Sequence, residues 1–265
     1  MRKGIPDAIR AQAWQRMAKC DRMSVQWRGV YATLVNNEYG ENNEIIERDL
    51  NRTFPSHEIF QERGGLGQHA LFNVLKAYSV YDTKVGYCQG MGFIVSTLLV
   101  FMAEEEAFWL FVQLMKNYHM EVVLEPGFPQ LQVYFHQLET LFRETLPKLH
   151  ARFESEFIAI SMYATQWFIT LFLYSLPFDT CLRIWDIFLL EGNKVLFRVA
   201  LAILKLAEPD LIDADLEKIM RYMANLPKRI TAPDVLLPVA FSFRFKRSRL
   251  VALEREFREM QKNAT

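Results

Sequence analysis

Ile46-Glu47-Arg48-Asp49-Leu50-Asn51-Arg52 and, further on, Gly86-Tyr87-Cys88-Gln89-Gly90-Met91 are the two strings on which the reading of the fold turns. In the first, Ile46, Asp49 and Arg52 stand at i, i+3 and i+6. That spacing puts one apolar, one acidic and one basic side chain on roughly the same side of a short helix. Asn42 or Asn43 is placed to cap this helix, and Glu44 and Glu47 suit its positive N-terminal end. Pro55 stops it. The second string is a Tyr-x-Gln triplet set between glycines at the mouth of a long apolar run. Spacing alone leaves two roles open. Asp49 and Arg52 fit an ordinary exposed ion pair, worth roughly a few tenths of a kcal/mol. Gln89 fits a helix cap or a turn.

Outward from these strings, nearly every segment carries helical periodicity, and no alternating strand run exceeds a few residues. A first helix opens at Pro6 and Asp7 and runs through Lys19, with an Ile9, Ala13 and Met17 stripe facing inward and Arg10 one turn from Trp14. The bland reading of that pair is a tryptophan core anchor with an arginine stem beside it. Val25 to Asn37 reads as a second helix, stopped near Gly40. Phe54 to Gly67 is a glycine-bearing loop, and Gln68 to Tyr81 returns to helix with Leu71, Leu75 and Tyr78 on one face. Further helices are expected over 93–103, 105–118, 130–146, 155–175, 179–190, 194–207, 213–225 and from Arg247 toward the end. Pro126-Gly127-Phe128-Pro129, Gly192-Asn193, Pro209 and Pro227 mark loops. No fixed repeat appears. The connection near Arg152 is the expected boundary between two helical lobes, residues 1–152 and 153–265.

Composition narrows the function classes. Hydrophobic residues make up 51% of the 265-residue chain, so a sizeable core can form. Thirty-one Lys and Arg balance 31 Asp and Glu, which argues against a general nucleic-acid or membrane-charge role. Cys20, Cys88 and Cys181 are odd in number and far apart. They form neither a zinc spacing nor a disulfide framework, which fits a reducing, cytoplasmic compartment. Met1-Arg2-Lys3-Gly4-Ile5-Pro6 lacks the apolar core of a signal peptide. Met91 to Ala103 stops at Glu104-Glu105-Glu106, short of the ~20 residues of a membrane span. Phe157 to Phe178 is uncharged and long enough, but Ser161, Tyr163, Thr165, Gln166, Thr170 and Ser175 interrupt it and Pro177 ends it. It is read as a buried central helix.

Several chemical motifs are excluded. Gly65-Leu66-Gly67-Gln68-His69-Ala70 satisfies a dinucleotide fingerprint, yet Phe60-Gln61-Glu62-Arg63 before it offers no strand. The chain has no phosphate-binding Gly-x-x-x-x-Gly-Lys loop and no Gly-x-Ser-x-Gly elbow. His57, His69, His119, His136 and His150 form no His-x-x-x-His pair, so a metal is not expected. Glu104-Glu105-Glu106 reads as a charged helix start. Arg244, Lys246, Arg247 and Arg249 read as a solvated helix face, with docking on an acidic surface as the other option.

The two opening strings resemble the Ile-x-x-Asp-x-x-Arg and Tyr-x-Gln signatures of the TBC domain family, the GTPase-activating proteins of Rab GTPases. Gly4-Ile5-Pro6, Arg10 with Trp14, Leu124 to Phe128, Trp167 with Phe172, and Arg183-Ile184-Trp185-Asp186 are similar to further family segments in the same order. The resemblance implies an all-α, two-lobed helical domain. It implies that Arg52 is an arginine finger and Gln89 a glutamine finger supplied in trans to a GTP-bound Rab-type GTPase. Asp49 then orients the guanidinium, and Tyr87 packs or hydrogen-bonds beside the partner's switch region. Gly86 and Gly90 let the loop backbone approach closely. The chemistry suits those residue types. A permanently charged fork neutralises phosphoryl-transfer charge, and a carboxamide donates and accepts at once to hold a water. Mg²⁺ and GTP arrive on the partner. No nucleic acid and no transmembrane segment are implied, and action at endomembranes comes through partners or other regions. Two other classes remain beside this one. The first is a non-catalytic Rab-binding module of the same fold. The second is a structural helical scaffold, in which Arg52 and Gln89 would be buried or dispersed.

Overall fold

Leu71, Val74, Leu75 and Tyr78 recur three and four residues apart, and in the computed structural model all four lie on the buried face of one helix. The structure describes residues 3–37, 40–54 and 57–264. Among the described residues there are seventeen helices and no strand, so the expected all-α class is met. The expected stop at Pro55, and the first two residues of the N-terminal reading, lie outside the described residues.

The chain divides into two units, Met1–Gly127 and Phe128–Thr265. The division falls at the Pro/Gly connection, whereas Arg152, the expected boundary, is inside a helix (Pro147–Ser155). The first unit carries α1 (Asp7–Ala18), α2 (Met23–Gln26), α3 (Val30–Val35), α4 (Asn43–Leu50), α5 (Leu66–Tyr81), α6 (Met91–Phe101), α7 (Glu104–Lys116) and α8 (Met120–Leu124). At its centre α5 packs against α3, α4, α6 and α7. Tyr78 meets Phe111 edge to face at 4.8 Å, a geometry that adds to simple burial.

In the second unit are α9 (Pro129–Thr145), α10 (Pro147–Ser155), α11 (Ser161–Ile169), α12 (Phe178–Glu191), α13 (Lys194–Leu211), α14 (Leu216–Ala224), α15 (Lys228–Thr231), α16 (Pro233–Ser242) and α17 (Arg247–Ala264). Here α13 is central and packs on α9, α11, α12, α15 and α16. Tyr134 lies 5.2 Å from the Phe168 ring and 5.3 Å from Phe197.

Four expectations need correction. The buried face of α1 carries Arg10, Trp14 and Ala18, while Ile9 is exposed. The large indole and the Arg10 stem take the inner side, the guanidinium lying 5.9 Å from the Trp14 ring and 5.2 Å from Phe101. Val25 to Asn37 is not one helix, because Gly29 at φ +82° separates α2 from α3. The uncharged run from Phe157 is helical only over α11, since Phe157, Leu171 and Phe172 adopt positive φ on either side of it. Pro209 does not stop α13, which continues to Leu211. Among the described residues, no helix is long and apolar enough to cross a membrane.

Four of the five tryptophans are buried, two in each unit, and Trp27 in the turn after α2 is the one that is half-exposed, at 49%.

Candidate functional site

The site begins with the carboxylate of Asp49 in the last turn of α4. Ile46, one turn earlier, is fully buried and seats that face of the helix on the core. Regular helix ends at Leu50, two residues before Arg52. The backbone keeps a helical path, with Asn51 near φ −67° and the Arg52 N–H donating to the Asp49 carbonyl at 3.2 Å. The i, i+3 relation therefore survives past the helix end. Arg52 Nε donates to Asp49 Oδ1 at 2.6 Å, and its NH2 donates to the same oxygen. The pair is asymmetric: the Asp49 side chain is 4% exposed and that of Arg52 is 58% exposed. The anion is thus an internal fixture, and the cation faces solvent. Asn42 occupies the N-cap position, but its side chain makes no capping hydrogen bond.

The other oxygen of Asp49 reaches the second string. Tyr87 donates its hydroxyl to Asp49 Oδ2 at 2.6 Å. One buried carboxylate therefore ties the end of α4 to the loop before α6. Gly86 at φ +61° and Gly90 at φ +108° bracket that loop, and both hold backbone conformations that side chains disfavour. Gly90 also opens α6. Between them, Gln89 is exposed. Its carboxamide makes no hydrogen bond to a described residue. Arg52, Asp49 and Tyr87 are thus joined directly, and Gln89 projects two residues beyond Tyr87.

Electrostatics follow from the shared carboxylate. Burial, then the hydrogen bond to Asp49 and its negative charge, push the Tyr87 hydroxyl well above its ordinary range. Tyr87 stays protonated and remains a donor. Burial and the same charge push the Cys88 thiol up to about 11.

Sequence reasoning missed the contacts that bring the two strings together. Gly92, in the first turn of α6, is packed so closely that a Cβ there would lie 2.9 Å from Thr53 Oγ1. Thr53 in turn donates to the Asp49 carbonyl at 2.8 Å. Phe54 meets Phe93 edge to face at 5.2 Å. A Cβ at Gly86 would sit 3.1 Å from Asn42 Nδ2. No short-range signal marks the contacts of Gly92 with Thr53, Phe54 with Phe93 and Gly86 with Asn42, because each joins residues far apart in the chain.

The other singled-out groups fall elsewhere. Gly65 precedes α5 with no strand before it. Glu104 opens α7 as expected and also accepts from Tyr31 at 2.5 Å and Asn73 at 3.1 Å. Arg244, Lys246 and Arg247 are exposed, while Arg249 pairs with Glu144.

Comparison with known proteins follows the same direction. A family model described as the Rab-GTPase-TBC domain matches residues 7–212. The chain is 38% identical over 257 residues to the human ecotropic viral integration site 5 protein homolog, covering 96% of this chain and 31% of that protein. It is 34% identical over 264 residues to the Caenorhabditis elegans Rab GTPase-activating protein tbc-11, covering 97% of this chain and 28% of that protein. The chain thus spans about a third of the length of these relatives. Among solved structures, the Chlamydomonas flagellar RabGAP TBC domain superposes with a TM-score of 0.80 at 34% identity, covering 91% of this chain and 82% of that one. The Ypt/Rab-GAP domain of Gyp1p shares the fold, with a TM-score of 0.76 at 17% identity over 97% of this chain and 91% of that one.

Proposed function

The chain belongs to the Rab-GTPase-TBC domain family, and from that membership and the geometry around Asp49 we propose that it accelerates GTP hydrolysis by a GTP-bound Rab-type GTPase. Arg52 is the arginine finger and Gln89 the glutamine finger. The partner brings GTP and Mg²⁺, and this chain completes the partner's active site without turning over a substrate of its own. It acts at endomembrane surfaces within the cytoplasm, reached through its partners or through regions outside this chain.

The observation that carries the reading is the single buried carboxylate holding both strings while both finger side chains face solvent. Phosphoryl transfer spreads negative charge over the equatorial oxygens, and a guanidinium already oriented stabilises that charge without reorganising. Asp49 supplies the orientation by holding Nε and one terminal nitrogen, leaving the other terminal nitrogen to reach outward. Gln89 keeps donor and acceptor free, as orienting an attacking water requires. A scaffold with no such task would have no need to hold an arginine outward on a buried acid.

Single-turnover GTP hydrolysis by a panel of GTP-loaded Rabs tests the proposal, using the wild type, Arg52→Ala and Gln89→Ala. At least one Rab should be stimulated, and Arg52→Ala should lower that stimulation by about 10³-fold or more. Folding should survive, at a cost of up to about 2 kcal/mol, because Asp49 keeps its Tyr87 donor. Activity of Arg52→Ala within a few-fold of wild type would sink the assignment. GTP-dependent binding without stimulation would make the chain a non-catalytic Rab-binding module.

A further inference from the structure

The start of the Gln89 loop is held by a second carboxylate, and its cation comes from a different helix. Asp82 follows α5, where its N–H donates to the Tyr78 carbonyl at 2.9 Å and closes the helix. The helix needs nothing more to end. Yet the Asp82 side chain is buried and collects three further donors. Val85 N–H donates to Oδ1 at 3.3 Å, while the Tyr78 hydroxyl at 3.2 Å and Lys116 Nζ at 2.6 Å donate to Oδ2. The Asp82 carbonyl also accepts from Gly86 N–H at 2.8 Å. Side chain and main chain of one residue therefore close the turn 82–86 from both sides, immediately before Gly86 reverses the chain into Tyr87.

Lys116 supplies the positive charge opposite this carboxylate. Burial opposes ionisation of Asp82, but the hydrogen bonds from Lys116 and Val85 N–H outweigh it and leave the carboxyl below its ordinary range. Lys116 stands in the last turn of α7 and also reaches Glu121 on α8 at 2.5 Å. The neighbouring Lys84 is engaged by Glu125 at 2.9 Å.

We infer that Lys116, acting through Asp82, is a positioning residue for Gln89. Asp49 fixes the loop at Tyr87, and the Lys116–Asp82 pair fixes it at Val85 and Gly86, so two successive ties leading into Gln89 set the reach of its carboxamide. The inference rests on the reading of Gln89 as the group supplied in trans.

The test has two arms. In the first, amide hydrogen exchange is measured on the protein alone for wild type, Lys116→Met and Lys116→Arg. Val85 and Gly86 should exchange about tenfold faster in Lys116→Met and stay near wild type in Lys116→Arg. In the second, Lys116→Met should lower the maximal stimulated hydrolysis rate by about 10²-fold, the scale of a small misplacement, and leave the half-saturating concentration within about threefold. In a Gln89→Ala background the same substitution should change the rate no further, since the two residues act as a unit. If Lys116→Met does not fold, the near-isosteric Asp82→Asn is read in both arms. Wild-type stimulation combined with unchanged exchange, or a rate loss that multiplies with that of Gln89→Ala, overturns this inference alone. Faster exchange with no stimulation by wild type of any GTPase overturns the Gln89 reading, and the positioning role with it.

Discussion

A buried carboxylate that accepts from both an arginine and a tyrosine is left short of a donor when either is removed. Tyr87→Phe keeps the ring and deletes the hydroxyl that reaches Asp49 Oδ2. The expected cost in urea-unfolding free energy is about 1–2 kcal/mol, with a fall in stimulated hydrolysis as the loop loses its tie. A variant with wild-type stability and wild-type rate would remove Tyr87 from the site. The hydroxyl remains protonated because burial and Asp49 push it upward, so the tie persists at neutral and mildly alkaline pH. Half of this arrangement was legible from spacing, since Asp49 and Arg52 are three residues apart and any helical path brings them together. The Tyr87 bond was not, because it spans 38 residues and depends on tertiary packing.

At the scale of elements, α6 meets the turn after α4 with no room for a methyl group at Gly92. Gly92→Ala should cost about 1–3 kcal/mol, since Thr53 is buried and its hydroxyl is already committed to the Asp49 carbonyl. Thermal unfolding would measure the loss. An unchanged midpoint would mean that Thr53 yields freely and that the close approach is not needed. Helix existence was readable wherever a single apolar face dominates, as in α5 with Leu71, Leu75 and Tyr78. The helix at α1 was readable too, but its buried face was not, because two stripes compete there and Ile9 lost to Trp14. Helix extent failed around Phe157, Leu171 and Phe172, which hold left-handed backbone without glycine and so leave no mark in the sequence.

At the scale of the molecule, Arg52 and Gln89, the two proposed fingers, belong to the unit Met1–Gly127, and so does the Lys116–Asp82 pair. The all-α class was readable from periodicity alone. The dividing point was not, because Pro126-Gly127 was read as an ordinary loop and the boundary was placed near Arg152, which lies inside α10. The distribution of indoles gives the folded protein a spectroscopic signature. With one accessible tryptophan among five, a neutral collisional quencher such as acrylamide should reach roughly one emitter in five. The Stern–Volmer plot of the native protein should then bend downward, and Trp27→Phe should flatten it. If strong quenching persists without Trp27, one of the indoles assigned to the core is open to solvent. Because the four indoles left by Trp27→Phe are buried, a new tryptophan placed near Gln89 would be the quencher-accessible emitter, and its shielding would report partner docking.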